Sequence, residues 1–304
     1  MRYFDLHCDT LYRAVTENGS LCSNDFHISL DNKNVFEKWA QCFALWIPDD
    51  MPQEDIDFMF QAAARKLNSD AARAGFKLHG GGRSISDYTA VLTVEGGRII
   101  GRDLSKIKTL ANFGVKMLTL TWNGDNEIAC GAKTKKDTGL TEFGKKAVEE
   151  LENNGIIIDV SHLSDKSFYD VVQFAARPPM ASHSNSRVIC KNKRNLTDEQ
   201  FNLIKDCGGI VGLNFHRDFL NNDGEKASIT DIIRHCEHFL SLGGENAVAI
   251  GSDFDGADMP EDISGVASIP KIYNEFLKLN YSETLLGKLF WSNASKFFET
   301  FDNK

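Results

Sequence analysis

The chain has no run of basic residues, no apolar stretch near the roughly 18 residues of a membrane span, and no CxxC pair. With 34 Lys+Arg against 43 Asp+Glu and a net charge of -9, a phosphate-backbone partner such as nucleic acid is not expected. Solubility is the plain meaning of that charge, and no membrane association is expected. The cysteines (Cys8, Cys22, Cys42, Cys130, Cys190, Cys207 and Cys236) are odd in number and scattered. That pattern favours reduced thiols in a cytoplasmic setting over a disulfide framework or a zinc knuckle. The N-terminal stretch is charged and already carries His7 and Asp9, so no signal peptide is expected. Low-complexity linkers and internal repeats are also absent, and one domain over residues 1–304 is the expectation.

What is present is a large core. The composition is 42% hydrophobic and 25% charged over 304 residues, a size common for one α/β barrel. Eight short apolar segments alternate with longer amphipathic ones. The expected strands are Tyr3 to His7, Ala40 to Ile47, Ala90 to Glu95, Val115 to Thr119, Ile156 to Val160, Pro179 to Ser182, Ile210 to Asn214 and Ala247 to Gly251. Runs such as Ile156-Ile157-Ile158 suit parallel strands covered on both faces. Glu54 to Ala74 reads as a helix with Phe58, Ala62 and Leu67 on its apolar pattern and Gly75 as its stop. Thr141 to Asn154 reads as another, capped by Thr141 and followed by Gly155. Strands alternating with helices predict a (β/α)8 TIM barrel. An open doubly wound sheet would carry a glycine-rich turn after its first strand, but Asp9-Thr10-Leu11-Tyr12 has no glycine.

Barrels place their active sites at the C-terminal ends of the strands. Residues two apart in a strand share a face, so His7 and Asp9 can converge on one divalent ion. Apolar runs also end on Glu95, His162, His183 and Asp253. Three histidines and three carboxylates on one rim can hold two divalent ions about 3.5–4 Å apart, which requires a bridging group. Glu95 is the natural bridge, one oxygen to each ion. Any one of these residues is more often structural; the argument is that all fall on the predicted rim. His235 and His238 share a helix face without a third ligand and read as part of a solvated helix. His216 is a candidate for the substrate loop. His27 and His79 lie away from strand ends. Cys8 should face away from His7 and Asp9, into the core.

The chain resembles the membrane (renal) dipeptidase family, zinc dipeptidases of the amidohydrolase superfamily, over nearly its whole length. The resemblance rests on Asp5-Leu6-His7-Cys8-Asp9, Val94-Glu95-Gly96-Gly97, Thr119-Leu120-Thr121 and Gly139-Leu140-Thr141-Glu142-Phe143-Gly144. It continues in Ile158-Asp159-Val160-Ser161-His162, Ala181-Ser182-His183-Ser184, Lys193-Arg194-Asn195 and Gly251-Ser252-Asp253-Phe254-Asp255-Gly256. The family resemblance implies a barrel with two Zn2+ ions: His7 and Asp9 on one, His162 and His183 on the other, Glu95 bridging. It further implies Asp253 as acid/base beside a water shared by the ions, and Arg194 as receiver of a dipeptide's terminal carboxylate, a task for a planar fork. A homodimer is implied as well.

One departure stands out. Characterised dipeptidases carry a carbonyl-polarising histidine after the Thr-Leu-Thr run, where this chain has Trp122. Asn123 or Asn126 could supply a neutral donor instead. The secretion and lipid-anchor signals of the animal enzymes are missing, so the chain resembles a cytoplasmic, bacterial relative. The expected activity is hydrolysis of dipeptides, with the choice between L- and D-residues at the C-terminal position left open by the sequence. Hydrolysis of an N-acyl amino acid or another small amide or lactone is the alternative, since the same metal chemistry serves each. A barrel that binds metal without turnover is disfavoured by the presence of Asp253.

Overall fold

The computed structural model describes residues 1–80 and 85–302. The strands among these residues are β1 (Arg2–Asp5), β2 (Lys38–Trp46), β3 (Lys77–Leu78), β4 (Tyr88–Glu95), β5 (Val115–Thr119), β6 (Ile157–Asp159), β7 (Met180–Ala181), β8 (Ile210–Leu213) and β9 (Val248–Ile250). Their pairings are all parallel and follow β2-β1-β9-β8-β7-β6-β5-β4. Pairing of β2 with β4 closes this ring into an eight-stranded barrel, and β3 lies against the first half of β4 outside it. The helices α1 (Thr10–Thr16), α2 (Gln53–Ala74), α3 (Ser105–Asn112), α4 (Glu142–Asn153), α5 (Asp165–Phe174), α6 (Asp198–Asp206), α7 (Arg217–Leu220), α8 (Ile229–Ser241), α9 (Ile269–Lys278), α10 (Glu283–Gly287) and α11 (Asn293–Asp302) surround the ring. The (β/α)8 barrel expected from the alternation is the fold.

Each expected strand is present; Val115–Thr119 keeps its expected bounds and the others shift at one or both ends. β1 stops at Asp5 rather than His7 because the side-chain alternation slips there. Phe4 and Leu6 face the barrel interior, yet Cys8 packs in the outer layer with Tyr3. β3 escaped the sequence reading because its residues are exposed and carry no alternation. Phe58 does not lie on the buried stripe of α2 as expected: it is 75% exposed, and Ile56, Phe60, Ala63, Leu67 and Ala71 form that stripe. In α4 the expected cap is present, with Gly144 N donating to Thr141 Oγ1 at 2.8 Å.

Two apolar layers result. The larger lies between strands and helices; the smaller fills the barrel with Phe4, Leu6, Val91, Met117, Ile157 and Met180. Trp291, Phe297, Phe298 and Phe301 belong to the inner layer and close the N-terminal end of the barrel, with the Phe298 ring 5.3 Å from that of Phe4. At the end of α11, the Asp302 carboxylate meets His79 Nε2 and Lys116 Nζ, each at 2.8 Å. Burying each ring contributes about 1.5–3 kcal/mol, whereas desolvation offsets much of a buried ion pair. The aromatics therefore hold the plug and the charges fix where it sits. With this end covered by aromatics among the described residues, the widest cleft lies at the C-terminal ends of the strands. No helix among the described residues is long and apolar enough to cross a membrane.

Candidate metal centre

The ligand-type side chains gather at the open end. His7 follows β1 in a turn that Asp5 builds, with His7 N donating to Asp5 Oδ1 at 3.3 Å. Asp9 immediately precedes α1, and its backbone N–H donates to Phe254 O at 2.8 Å. Glu95 ends β4, while His162, His183 and Asp253 lie just beyond β6, β7 and β9. His162 and Asp253 adopt left-handed backbones, with φ of 69° and 63°. Such a conformation costs a non-glycine residue about 1–2 kcal/mol, so tertiary bonds must hold it. Ala132 N donates to His162 O at 2.8 Å, and Asp253 N to His7 O at 3.1 Å. Gly256 is required as glycine, because a Cβ there would collide with the Asp9 carboxylate.

Glu95 divides the cluster. Its Oε1 lies 2.8 Å from His162 Nε2 and 3.4 Å from His183 Nε2, while Oε2 lies 3.8 Å from His7 Nε2. His7 Nε2 is also 3.3 Å from Asp9 Oδ2 and 3.9 Å from Asp253 Oδ1. Ligand atoms of His7, Glu95 and His183 lie within 4.8 Å of one another, as do those of His7, Asp9 and Asp253. The Nε2 atoms of His162 and His183 approach to 2.9 Å, and the His7 ring stacks on His183 with centroids 3.8 Å apart.

The charges follow from this crowding. Burial alone would lower the His7 imidazole, but Asp9, Glu95 and Asp253 override it and raise it to about 10. Burial, and then the charge of Glu95, raise Asp9 to about 7 against the pull of His7. Burial also raises Glu95, opposed by His7 and Arg194. His162 and His183 are pushed well below the ordinary imidazole value, chiefly by burial, so both stay neutral with a lone pair to give. Asp9 Oδ1 is buried without a hydrogen-bond partner among the described residues. Nitrogen and oxygen donors, neutral imidazoles and an unfilled carboxylate oxygen fit a zinc-like divalent ion. The nearest thiol, Cys8, turns away and bonds Cys42 O at 3.3 Å.

Above the cluster opens a cleft of about 810 Å³. One wall is aromatic: Tyr12 meets Trp46, and Trp46 meets Trp122, edge-on with centroids 4.9 Å apart in each pair. Arg194, Asn123, Lys133 and His216 also line it. Arg194 is buried, donates to His183 O at 3.2 Å, and has its guanidinium 5.3 Å from the Phe219 ring centroid. Burial lowers it, against the charges of Asp253 and Glu95. Asn126 does not line the cleft. Its amide donates to Leu120 O at 2.8 Å, and its oxygen accepts from Ile128 N and Ala129 N, so it shapes the loop instead. His235 is not solvated as expected: it is fully buried, accepting from Ser186 N and facing Leu220 O, while His238 pairs with Asp198 at 2.7 Å.

The sequence reading passed over Trp46, Tyr12 and Asn214. Asn214 Nδ2 donates to Asp253 Oδ2 at 2.8 Å and so aims that carboxylate. Trp46 ends β2 and Asn214 follows β8. The rule that strand ends carry the site, applied to those two strands, would have found both.

A sequence model of the membrane dipeptidases (peptidase family M19) matches residues 1–304. The chain is 37% identical over 202 residues to the uncharacterized protein in pqqA 5'region of Klebsiella pneumoniae, across 64% of this chain and 73% of that protein. Its structure is similar to a metallo peptidase from Rhodobacter sphaeroides liganded with a phosphinate mimic of the dipeptide L-Ala-D-Ala. The TM-score is 0.90 at 26% identity, covering 98% of this chain and 99% of that one. It is similar also to the metallo peptidase dipeptidase AC, with a TM-score of 0.90 at 28% identity and 98% of both chains covered.

A proton prediction follows from the charges. His7 keeps its proton up to about pH 10, so an ion that takes its Nε2 must expel that proton, and affinity must rise with pH below that point. Zinc added to chelator-stripped protein at pH 7 should release about one proton or more per molecule. Calorimetric titration in buffers of differing ionisation enthalpy measures this, and zinc uptake without proton release would contradict the charge assignment.

Proposed function

The chain belongs to the membrane dipeptidase family (peptidase family M19), and from that premise we propose that it is a two-zinc dipeptidase that accepts a D-residue at the C-terminal position. The observation that carries this reading is the split of Glu95, with one oxygen toward His162 and His183 and the other toward His7, which in turn lies beside Asp9. That is the arrangement a carboxylate needs to bridge two ions. The phosphinate mimic of L-Ala-D-Ala bound to the Rhodobacter sphaeroides relative supports the substrate class. The seven free cysteines accord with a cytoplasmic enzyme. Residues 1–304 are read as one catalytic domain.

His7, Asp9, Glu95, His162 and His183 would hold a pair of zinc ions, which when bound would supply water activation, lowering its pKa from about 15.7 toward 7, and polarisation of the substrate carbonyl. The protein supplies the rest. Asp253 has one oxygen fixed by Asn214, which leaves Oδ1 directed at the centre to take the attacking water's proton and return it to the leaving amine. Arg194 is held by the His183 carbonyl and presents its guanidinium to the substrate's carboxylate, which restricts cleavage to short peptides. Trp122 carries no charge to the scissile carbonyl, and of the two candidate amides Asn123, which lines the cleft, serves as the neutral donor. The wall of Tyr12, Trp46 and Trp122 gives the substrate an apolar surface.

Asp253→Asn should retain both ions by metal analysis while turnover falls by about 10²–10⁴-fold. Activity near that of the unaltered enzyme would refute the acid/base role. Arg194→Ala removes a charge-assisted contact worth about 1.5–3 kcal/mol, so KM should rise roughly ten- to hundredfold with kcat less affected. Dipeptide amides, which lack the carboxylate, should be indifferent to the change. An equal loss on amides and free dipeptides would reject the clamp.

A further inference from the structure

Two fully buried aspartates near the metal ligands, neither lining the cleft, share one pattern of four bonds. Asp159 ends β6: its Oδ1 accepts from Ser161 N at 3.0 Å and Ser182 N at 2.9 Å, and its Oδ2 from Thr119 Oγ1 at 2.6 Å and Ser182 Oγ at 2.5 Å. Asp5 ends β1: its Oδ1 accepts from His7 N at 3.3 Å and Ser252 N at 2.8 Å, and its Oδ2 from Tyr3 Oη at 2.9 Å and Ser252 Oγ at 2.6 Å. Four donors are what a buried carboxylate requires. Each aspartate thus grips the serine that precedes a residue of the centre, Ser182 before His183 and Ser252 before Asp253.

The two grips differ in one respect. Ser182 Oγ lies 2.7 Å from His183 Nδ1 as well as 2.5 Å from Asp159 Oδ2. A hydroxyl has one proton, and Asp159 acts as acceptor from all its other partners. The Ser182 proton therefore goes to Asp159, and its oxygen is left to accept from His183 Nδ1–H. That forces the Nδ1-protonated tautomer and leaves the lone pair on Nε2, the atom 3.4 Å from Glu95 Oε1. His7 Nδ1 and His162 Nδ1, by contrast, are buried without a hydrogen-bond partner among the described residues, none of which fixes those rings in this way.

We propose that Asp159 and Ser182 form a tautomer lock on His183, presenting its Nε2 lone pair to the cation site, while Asp5 and Ser252 set only the backbone that carries His7 and Asp253. These are positioning residues, and the inference rests on the reading of His183 as a metal ligand. The lock acts through one proton and one hydroxyl, so it has a signature that general loosening of the fold would not produce. Long-range 1H–15N correlation spectra of histidine-labelled, metal-free protein report the tautomer directly, with His183→Gln to assign the signal. The unaltered protein should show His183 protonated on Nδ1. Ser182→Ala should abolish that fixed state and weaken zinc binding by about ten- to a hundredfold in competition with a chromophoric chelator. Ser252→Ala removes the matching hydroxyl bond from Asp5 and should leave the His183 signal unchanged.

An Nε2-protonated His183 in the unaltered protein would overturn the lock, whatever the variants do. So would a tautomer that survives Ser182→Ala or shifts equally in Ser252→Ala. If the tautomer responds as stated but zinc affinity does not, the metal reading of His183 fails and the lock has no cation to serve.

Discussion

Three imidazoles and three carboxylates are packed at the mouth of a barrel whose other end is sealed, and Glu95 sits where they meet. Burial works against charge on His7, Asp9, Glu95, His162 and His183, and their mutual interactions relieve it unevenly. Asp9 is pushed up by burial and by Glu95, whereas His7 is held protonated by three carboxylates around it. His162 and His183 remain neutral at close approach to each other. A cluster of this kind is poorly satisfied by its own members and well satisfied by divalent cations. The surrounding structure makes sense as the means of keeping it assembled.

Those means are mostly hydrogen bonds at the strand ends. The segment after β9 is tied on both sides of Asp253. Ser252 is gripped by Asp5, and the Asp255 carboxylate accepts from Thr10 Oγ1 at 2.5 Å, Arg13 Nη1 at 3.0 Å and His27 N at 2.9 Å. Asp253 can then hold a left-handed backbone that its sequence alone would not favour. Asp159 performs the matching service between β6 and β7, where His162 and His183 emerge. The strained residues and their ties come from distant parts of the chain, which is how a barrel delivers side chains from separate strands to one point.

Much of this was legible in the chain. Buried parallel strands write continuous apolar runs, and Ile156-Ile157-Ile158 shows why their number and order could be read. A ligand-type residue at or just past the end of several runs then marks the rim, as at Glu95 and His183. What resisted reading was local. The slip of alternation after Leu6 depends on Asp5 bonding His7 N, a contact that periodicity does not encode. Phe58 matched the spacing of a helix but not its buried face. The lack of a third ligand near His235 and His238 suggested a solvated helix, yet His235 is buried because Ser186 and Leu220 supply its partners from other elements. Asn123 and Asn126 were indistinguishable in sequence, because loop conformation alone decides which one faces the cleft.

The most direct test of the account is dipeptide hydrolysis followed while zinc is titrated into chelator-stripped protein, using L-Ala-L-Ala, L-Ala-D-Ala and N-acetyl-alanine in parallel. The account predicts that both dipeptides are cleaved, that activity rises until about two ions are bound, and that the acetylated amino acid is a poor substrate. Folded protein that binds two ions yet leaves the dipeptides intact, or that prefers the acetylated amino acid, would contradict it.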